Sequence, residues 1–138
     1  MLVDGLAPRG GETILEHLGA SAAQIPIVQL RVPGGAVARV PDDAAAFGYR
    51  GARLMVNVTA VDNSPEQGPE RRAWASGLAA ALSDGAAAAY AGFLGDEGEH
   101  GVRRAYPPAT LDRLARVKRQ YDPDDLFRLN ENIRPAEA

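Results

Sequence analysis

Tyr106-Pro107-Pro108-Ala109-Thr110-Leu111-Asp112-Arg113-Leu114-Ala115-Arg116-Val117-Lys118-Arg119-Gln120-Tyr121 runs into Asp122-Pro123-Asp124-Asp125-Leu126-Phe127-Arg128-Leu129-Asn130-Glu131-Asn132-Ile133-Arg134-Pro135. At about 100° per residue, Leu111, Leu114, Ala115, Val117 and Tyr121 fall within half of a helical wheel, with Asp112, Arg113, Arg116, Arg119 and Gln120 opposite. One face of this helix is built to be buried. Lys118 breaks the stripe, and its aliphatic stem is expected to lie along apolar surface with the ammonium at the edge. Pro123 disfavours helical geometry at Asp122, so the helix stops there. Asp122-Pro123-Asp124-Asp125 then restarts one turn, with Asp122 as its cap and Pro123 at its first position. Leu126 and Phe127 are expected to dock that turn. In Leu129-Asn130-Glu131-Asn132-Ile133 polar and apolar residues alternate, which points the two amides to one side of an extended segment. Two amides facing one way can read the edge of a polar heterocycle.

Residues 107 to 135 resemble the C-terminal end of the berberine-bridge-enzyme-like branch of FAD-linked oxidases. Those proteins close with a helix and a Lys-Arg-x-Tyr-Asp-Pro-x-Asn-Leu-Phe-Arg-x-Asn-Gln-Asn-Ile pattern. This chain reads Lys118-Arg119-Gln120-Tyr121-Asp122-Pro123-Asp124-Asp125-Leu126-Phe127-Arg128-Leu129-Asn130-Glu131-Asn132-Ile133, departing at Asp125 for the usual Asn and at Glu131 for the usual Gln. The order of upstream segments agrees from about Ile25 onward. The resemblance covers most of this chain but only the last third or so of a whole member.

A chain of 138 residues with 46% apolar content fits one globular domain, residues 1–138, with a real core. Without cysteine there is no disulfide, no thiolate catalyst, no cysteine-ligated metal and no flavin attachment through sulfur. Met1-Leu2-Val3-Asp4-Gly5 carries no charged leader or long apolar run, so a soluble protein is expected, with the cytoplasm as default and no membrane contact. The net charge of -3 argues against a nucleic-acid partner. Eight of the fifteen basic residues do lie between Arg103 and Arg134, but five acids in the same stretch dilute that patch into a solvated helix face.

In chain order, Glu12 to Leu18 reads as a short helix with Ile14, Leu15 and Leu18 on one side and His17 at the surface, ended by Gly19 in a left-handed cap. Ile25 to Val32 is a strand with Val28, Leu30 and Val32 on one face and Ile27, Gln29 and Arg31 on the other. Gly34-Gly35 suits a two-residue hairpin turn into a strand over Ala36 to Val40. Ala52 to Val61 is the clearest strand, with Leu54, Val56, Val58 and Ala60 opposite Arg53, Met55, Asn57 and Thr59. Gln29, Arg31, Asn57 and Thr59 on one face make a ligand surface, or a face that is only solvated, as antiparallel sheets allow. A helix follows from about Pro69 to Leu82, with Trp74, Leu78, Ala81 and Leu82 on its stripe, and Ala86 to Phe93 returns as a strand. Gly95-Asp96-Glu97-Gly98-Glu99-His100 has the acids of a helix start rather than a metal site. The expected fold class is α+β: an antiparallel sheet of about four strands (25–32, 36–41, 52–61, 86–93) with helices packed on one face.

The resemblance adds chemistry. Tyr90-Ala91-Gly92-Phe93 stands where the family has Tyr-x-Asn-Phe or Tyr-x-Asn-Tyr, whose tyrosine and asparagine face flavin and substrate; Tyr90 matches and Gly92 does not. Tyr90 is accordingly the candidate catalytic base or orienter, although an amphipathic core tyrosine reads equally well. Asn130 and Asn132 are the candidate flavin-facing amides, and FAD is the implied cofactor. Family members move a hydride from an alcohol, sugar or amine carbon to flavin while a base removes a proton. This chain has no glycine-rich phosphate loop and no histidine or cysteine attachment motif. It therefore reads as the substrate-domain portion of such an enzyme, with its berberine-like tail over about 90–135, and inactive without an FAD-binding partner domain. The alternative is a non-catalytic small-molecule-binding or dimerisation module. A homodimer is expected, formed through apolar surface around Ile27, Met55, Tyr90 and Ile133.

Overall fold

A computed structural model describes residues 1–61, 65–83, 88–95, 97–129 and 131–137. The fold is α+β, and the chain forms two compact units: Met1–Pro33 with Ala52–Ala87, and Gly34–Gly51 with Ala88–Ala138.

The first unit is a sheet with two helices. Its strands are β1 (Leu2–Val3), β2 (Ile25–Arg31) and β3 (Leu54–Val61), in the order β1-β3-β2 and antiparallel throughout. Helix α1 spans Gly10–Gly19 and α2 spans Gly68–Leu82. The even face of β3 carries the core: Val56 packs with Ile14 of α1 and with Leu78 and Leu82 of α2, and Leu54, Val58, Val28 and Trp74 extend the cluster. Both helices thus lie on one face of the sheet, as the apolar alternation of β3 requires. Trp74 satisfies its indole N–H on the His17 carbonyl oxygen at 3.1 Å, the partner a half-buried tryptophan needs. Of the expected α2 stripe, Ala81 is exposed. Leu30 and Val32, expected on the buried face, are also exposed and lie outside the core cluster. Gly19 does end α1, but without a left-handed cap, since Ala20 follows at φ -89° and donates its N–H to the Glu16 carbonyl.

The sheet has three strands among the described residues, where four were expected. Two of the expected strands are replaced and one was missed. Ala36 to Val40 forms consecutive turns, Val37 N–H to Gly34 O and Val40 N–H to Val37 O, rather than a hairpin strand. Gly35 does adopt the positive φ (58°) that paired glycines permit, but among the described residues β2 keeps one unpaired outer edge, with β3 on its other side in the register Gln29 with Asn57. Around Tyr90, Ala88 makes an isolated bridge and Ala91–Phe93 a 3-10 turn; Ala86 and Ala87 lie outside the described residues. Alanine has little strand preference, so these short runs carry no strong local demand for extension. The missed strand, β1, is too short for a periodicity to show; it is held by paired bonds between Met1 and Val56 at 2.7 and 2.8 Å.

In the second unit α3 spans Gly98–Ala105 and α4 spans Pro108–Tyr121. Glu97 and Glu99 at the start of α3 pair with Arg104 (2.8 Å) and Arg103 (2.7 Å), so these acids are neutralised by arginines; Asp96 lies outside the described residues. The segment 34–51 belongs to this unit. Arg113 of α4 donates Nη1 to the Asp43 carbonyl and Nη2 to that of Ala45, and Arg50 donates its backbone N–H to Asp42 Oδ1 and Nη1 to the Val37 carbonyl. Gly48 is buried against Pro107, where a Cβ would come within 2.8 Å of the proline Cγ.

The tail departs from expectation in how it is held. Asp122 does cap the turn: Oδ1 accepts the Leu126 N–H at 2.8 Å and Oδ2 the Phe127 N–H at 3.0 Å. Lys118 is no snorkelling side chain. Its Nζ reaches Asp122 (2.5 Å), Asp125 (3.0 Å) and the Phe127 carbonyl (2.7 Å). Leu126 and Phe127 do not dock the turn; both are exposed, Phe127 at 83%. A carboxylate and an ammonium shape this turn in place of apolar burial.

Candidate functional site

Tyr90 stands in extended backbone (φ -98°, ψ 119°) at the entrance to the 3-10 turn, held there by the Ala89 N–H donating to the Arg104 carbonyl at the end of α3. Its ring meets Phe47 edge-on at 5.8 Å between centroids and Phe93 at 5.3 Å with a 58° tilt. Tyr90 and Phe93 remain 39% and 38% exposed, so the cluster presents ring surface to solvent. The Arg50 guanidinium lies over the Phe47 ring at 5.6 Å, within cation-π range.

Tyr106 belongs to the same neighbourhood. Burial pushes its phenol above the usual 10.0, and the negative charge of Glu131 and that of Tyr90 push it further in the same direction. Its phenol thus lies close enough to Tyr90 and Glu131 to feel the charge of each. Glu131, where the resembled pattern has Gln, points at α3: a Cβ on the buried Gly101 would lie 3.3 Å from its Oε2. Phe47, Phe93, Tyr106 and Arg50 carry no repeating pattern that singles them out, and it is the return of segment 34–51 to this unit that gathers them.

Of the other residues read from the sequence, Asn130 lies outside the described residues. Asn132 donates Nδ2 to Asp125 Oδ2 at 3.0 Å, so one N–H of its amide is already engaged. Asp125, in place of the usual Asn, sits at φ 51°, a conformation short polar side chains tolerate. Asn132 and Ile133 line a groove of about 340 Å³ between α4 and the tail, together with Leu114, Val117 and Leu129. Gln29, Arg31, Asn57 and Thr59 share the odd face of the sheet in the first unit. Gln29 stands directly opposite Asn57, and its Oε1 accepts from Asn57 Nδ2 at 3.3 Å and from Arg31 Nη2 at 3.0 Å, while Thr59 stands opposite Ile27. Three of these four polar groups thus bond one another.

The relation read from the tail is borne out by comparison with known proteins. Residues 89–134 match the family model described as berberine and berberine like, so this part of the chain is similar to that family. It is 32% identical over 130 residues to the uncharacterized FAD-linked oxidoreductase YgaK of Bacillus subtilis strain 168, and 28% identical over 103 residues to YvdP of the same organism, likewise an uncharacterized FAD-linked oxidoreductase. These matches take in 94% and 75% of this chain but only 29% and 23% of the relatives. The chain spans less than a third of the length of either. No described helix is long and apolar enough to cross a membrane.

Proposed function

We propose that this chain is the C-terminal substrate-domain portion of a berberine-bridge-enzyme-like FAD-dependent oxidoreductase, inactive until joined by an FAD-binding domain. The observation that supports it most is the match of almost the whole chain to less than a third of FAD-linked oxidoreductases, with the berberine-like segment at its C-terminal end. The described residues do not by themselves fit a flavin dinucleotide. The groove beside Asn132 is lined mainly by apolar side chains, and Lys118 on its wall is already held by Asp122 and Asp125, so nothing there is free to neutralise a pyrophosphate. FAD, supplied with its domain, would accept the hydride from an alcohol, sugar or amine carbon. The part of this chain is to place that carbon against the aromatic cluster. Tyr90 takes or orients the proton, and Tyr106, kept neutral by its surroundings, donates a hydrogen bond beside it.

The test is a chimera in which this chain replaces its matching segment of YgaK. The isolated chain is expected to stay colourless with added FAD, and the chimera to retain flavin. Tyr90→Phe in the chimera should lower turnover by about 100-fold or more at unchanged flavin content. Flavin absorbance that follows the isolated chain through gel filtration, or a flavin-loaded chimera indifferent to Tyr90→Phe, would overturn the reading.

A second reading, a module that associates with its own copy, is supported by the exposure of Tyr121, Leu126, Phe127 and Leu129 on the second unit. The two readings are compatible if the same surface meets an FAD-binding domain in a complete enzyme.

A further inference from the structure

We propose that Gly92 is a positioning residue for Tyr90, present as glycine because the tyrosine ring occupies the space of its missing side chain. A Cβ built at Gly92 would lie 2.9 Å from Tyr90 Cε1, 3.6 Å from Cδ1 and 3.7 Å from Cζ. Carbon atoms in contact prefer about 3.5–4.0 Å, so the first distance is a collision. The backbone itself makes no such demand: Gly92 lies within the 3-10 turn Ala91–Phe93 and is not among the residues with positive φ. Any residue fits that backbone, and only the ring excludes a side chain. Nor can the ring retreat freely, because Phe47 and Phe93 pack against it from two other directions.

The consequence for the site follows directly. The resembled pattern places an asparagine two residues after this tyrosine, and here the Cδ1–Cε1 edge of the Tyr90 ring lies where that side chain would begin. The cluster gains a third fixed ring and gives up an amide, so position 92 offers a ligand aromatic edge rather than a hydrogen bond. Restoring the asparagine alone would expel Tyr90 from its seat. The functional weight of this seat rests on the role proposed for Tyr90 above, while its existence does not.

The experiment is a double-mutant cycle on the full chain, read by thermal denaturation and by ring-proton NMR. Gly92→Ala is expected to lower Tm by about 3 °C or more and to abolish the nuclear Overhauser contacts of Tyr90 with Phe47 and Phe93. In a Tyr90→Ala background the same substitution should leave Tm unchanged or raise it, because alanine at an unstrained site restricts the unfolded chain. Gly92→Asn should lose the same ring contacts. An identical Tm change in both backgrounds, or ring contacts that survive Gly92→Ala, overturns the proposal. In the YgaK chimera Gly92→Ala should lower kcat with flavin content unchanged. A cycle that shows the sign reversal beside unaltered kcat keeps the seat and removes the catalytic role of Tyr90 instead.

Discussion

Lys118 is tied to three polar groups in the tail, the Asp122 and Asp125 carboxylates and the Phe127 carbonyl. Its ammonium raises itself and depresses its partners: hydrogen bonding to Asp122 holds the lysine above its usual 10.5, and hydrogen bonding from Lys118 holds Asp122 and Asp125 below their usual 3.8. Burial opposes all three shifts, while the Leu126 and Phe127 N–H groups reinforce that of Asp122 and Asn132 that of Asp125. The signs follow from proton linkage. A carboxylate with a depressed folded value contributes stability that is complete above about pH 3.8 and is lost as pH falls through the folded value. A lysine with a raised folded value contributes stability that is complete below about pH 10.5 and is lost as pH rises through it. Lys118→Met should therefore flatten both edges of the Tm against pH profile. A variant whose profile has the same acid and alkaline edges as the parent would show that the clamp adds no stability.

At the scale of elements, the sheet and its two helices stand on a small core in which Leu78 and Val56 are fully buried. Truncation there leaves a cavity that the surrounding β3 and α1 side chains cannot close, so Leu78→Ala should cost about 2–5 kcal/mol in chemical denaturation. A loss below about 1 kcal/mol would mean that the α2 stripe is not the keystone of this unit. The strands β2 and β3 and the helices α1 and α2 are legible as periodicities because each presents one face to the core; α4 is legible too, but of its expected stripe Val117 and Tyr121 are exposed and the one buried residue of the helix is Thr110. The segment 34–51 is not legible in the same way. Ala36 to Val40 is expected as a strand only because Gly34-Gly35 suits a hairpin turn, and its residues instead close on one another through the Val37 to Gly34 and Val40 to Val37 bonds. What holds the segment is Arg113, whose bond to Asp43 spans 70 residues, a distance over which local patterns carry no signal.

At the scale of the molecule, part of the surface expected to associate is covered. Ile133 is half-buried along the α4 groove, and the Ala136 N–H donates to the Ala115 carbonyl, folding the tail back on its own helix. The exposed apolar side chains of the tail include Tyr121 (77%), Leu126, Phe127 and Leu129 (84%), while Tyr90 of the expected surface is 39% exposed. Contiguous apolar surface beyond a few hundred Å² is rarely left open to water, and a twofold axis lets one patch cover its own copy. We expect a dimer by light scattering coupled to size exclusion at micromolar concentration, dissociated by Phe127→Asp. A mass of 14.5 kDa for the parent chain would leave the patch to a different protein surface, with the FAD-binding domain of the proposed enzyme the natural one.

The sequence by itself determined the α+β class, the helix that ends at Asp122, the capping role of that aspartate and the pairing-competent strands around Gln29 and Asn57. Each of these rests on information within a few residues: an apolar repeat, a proline that disfavours helical geometry at the residue before it, a carboxylate within reach of nearby N–H groups. The tertiary structure alone decided that Lys118 closes on two aspartates, that Leu126 and Phe127 face outward, and that Gly92 is glycine for the sake of Tyr90. In every one of those cases the deciding term is a side-chain contact whose geometry depends on where the backbone has already gone, and local periodicity is blind to it.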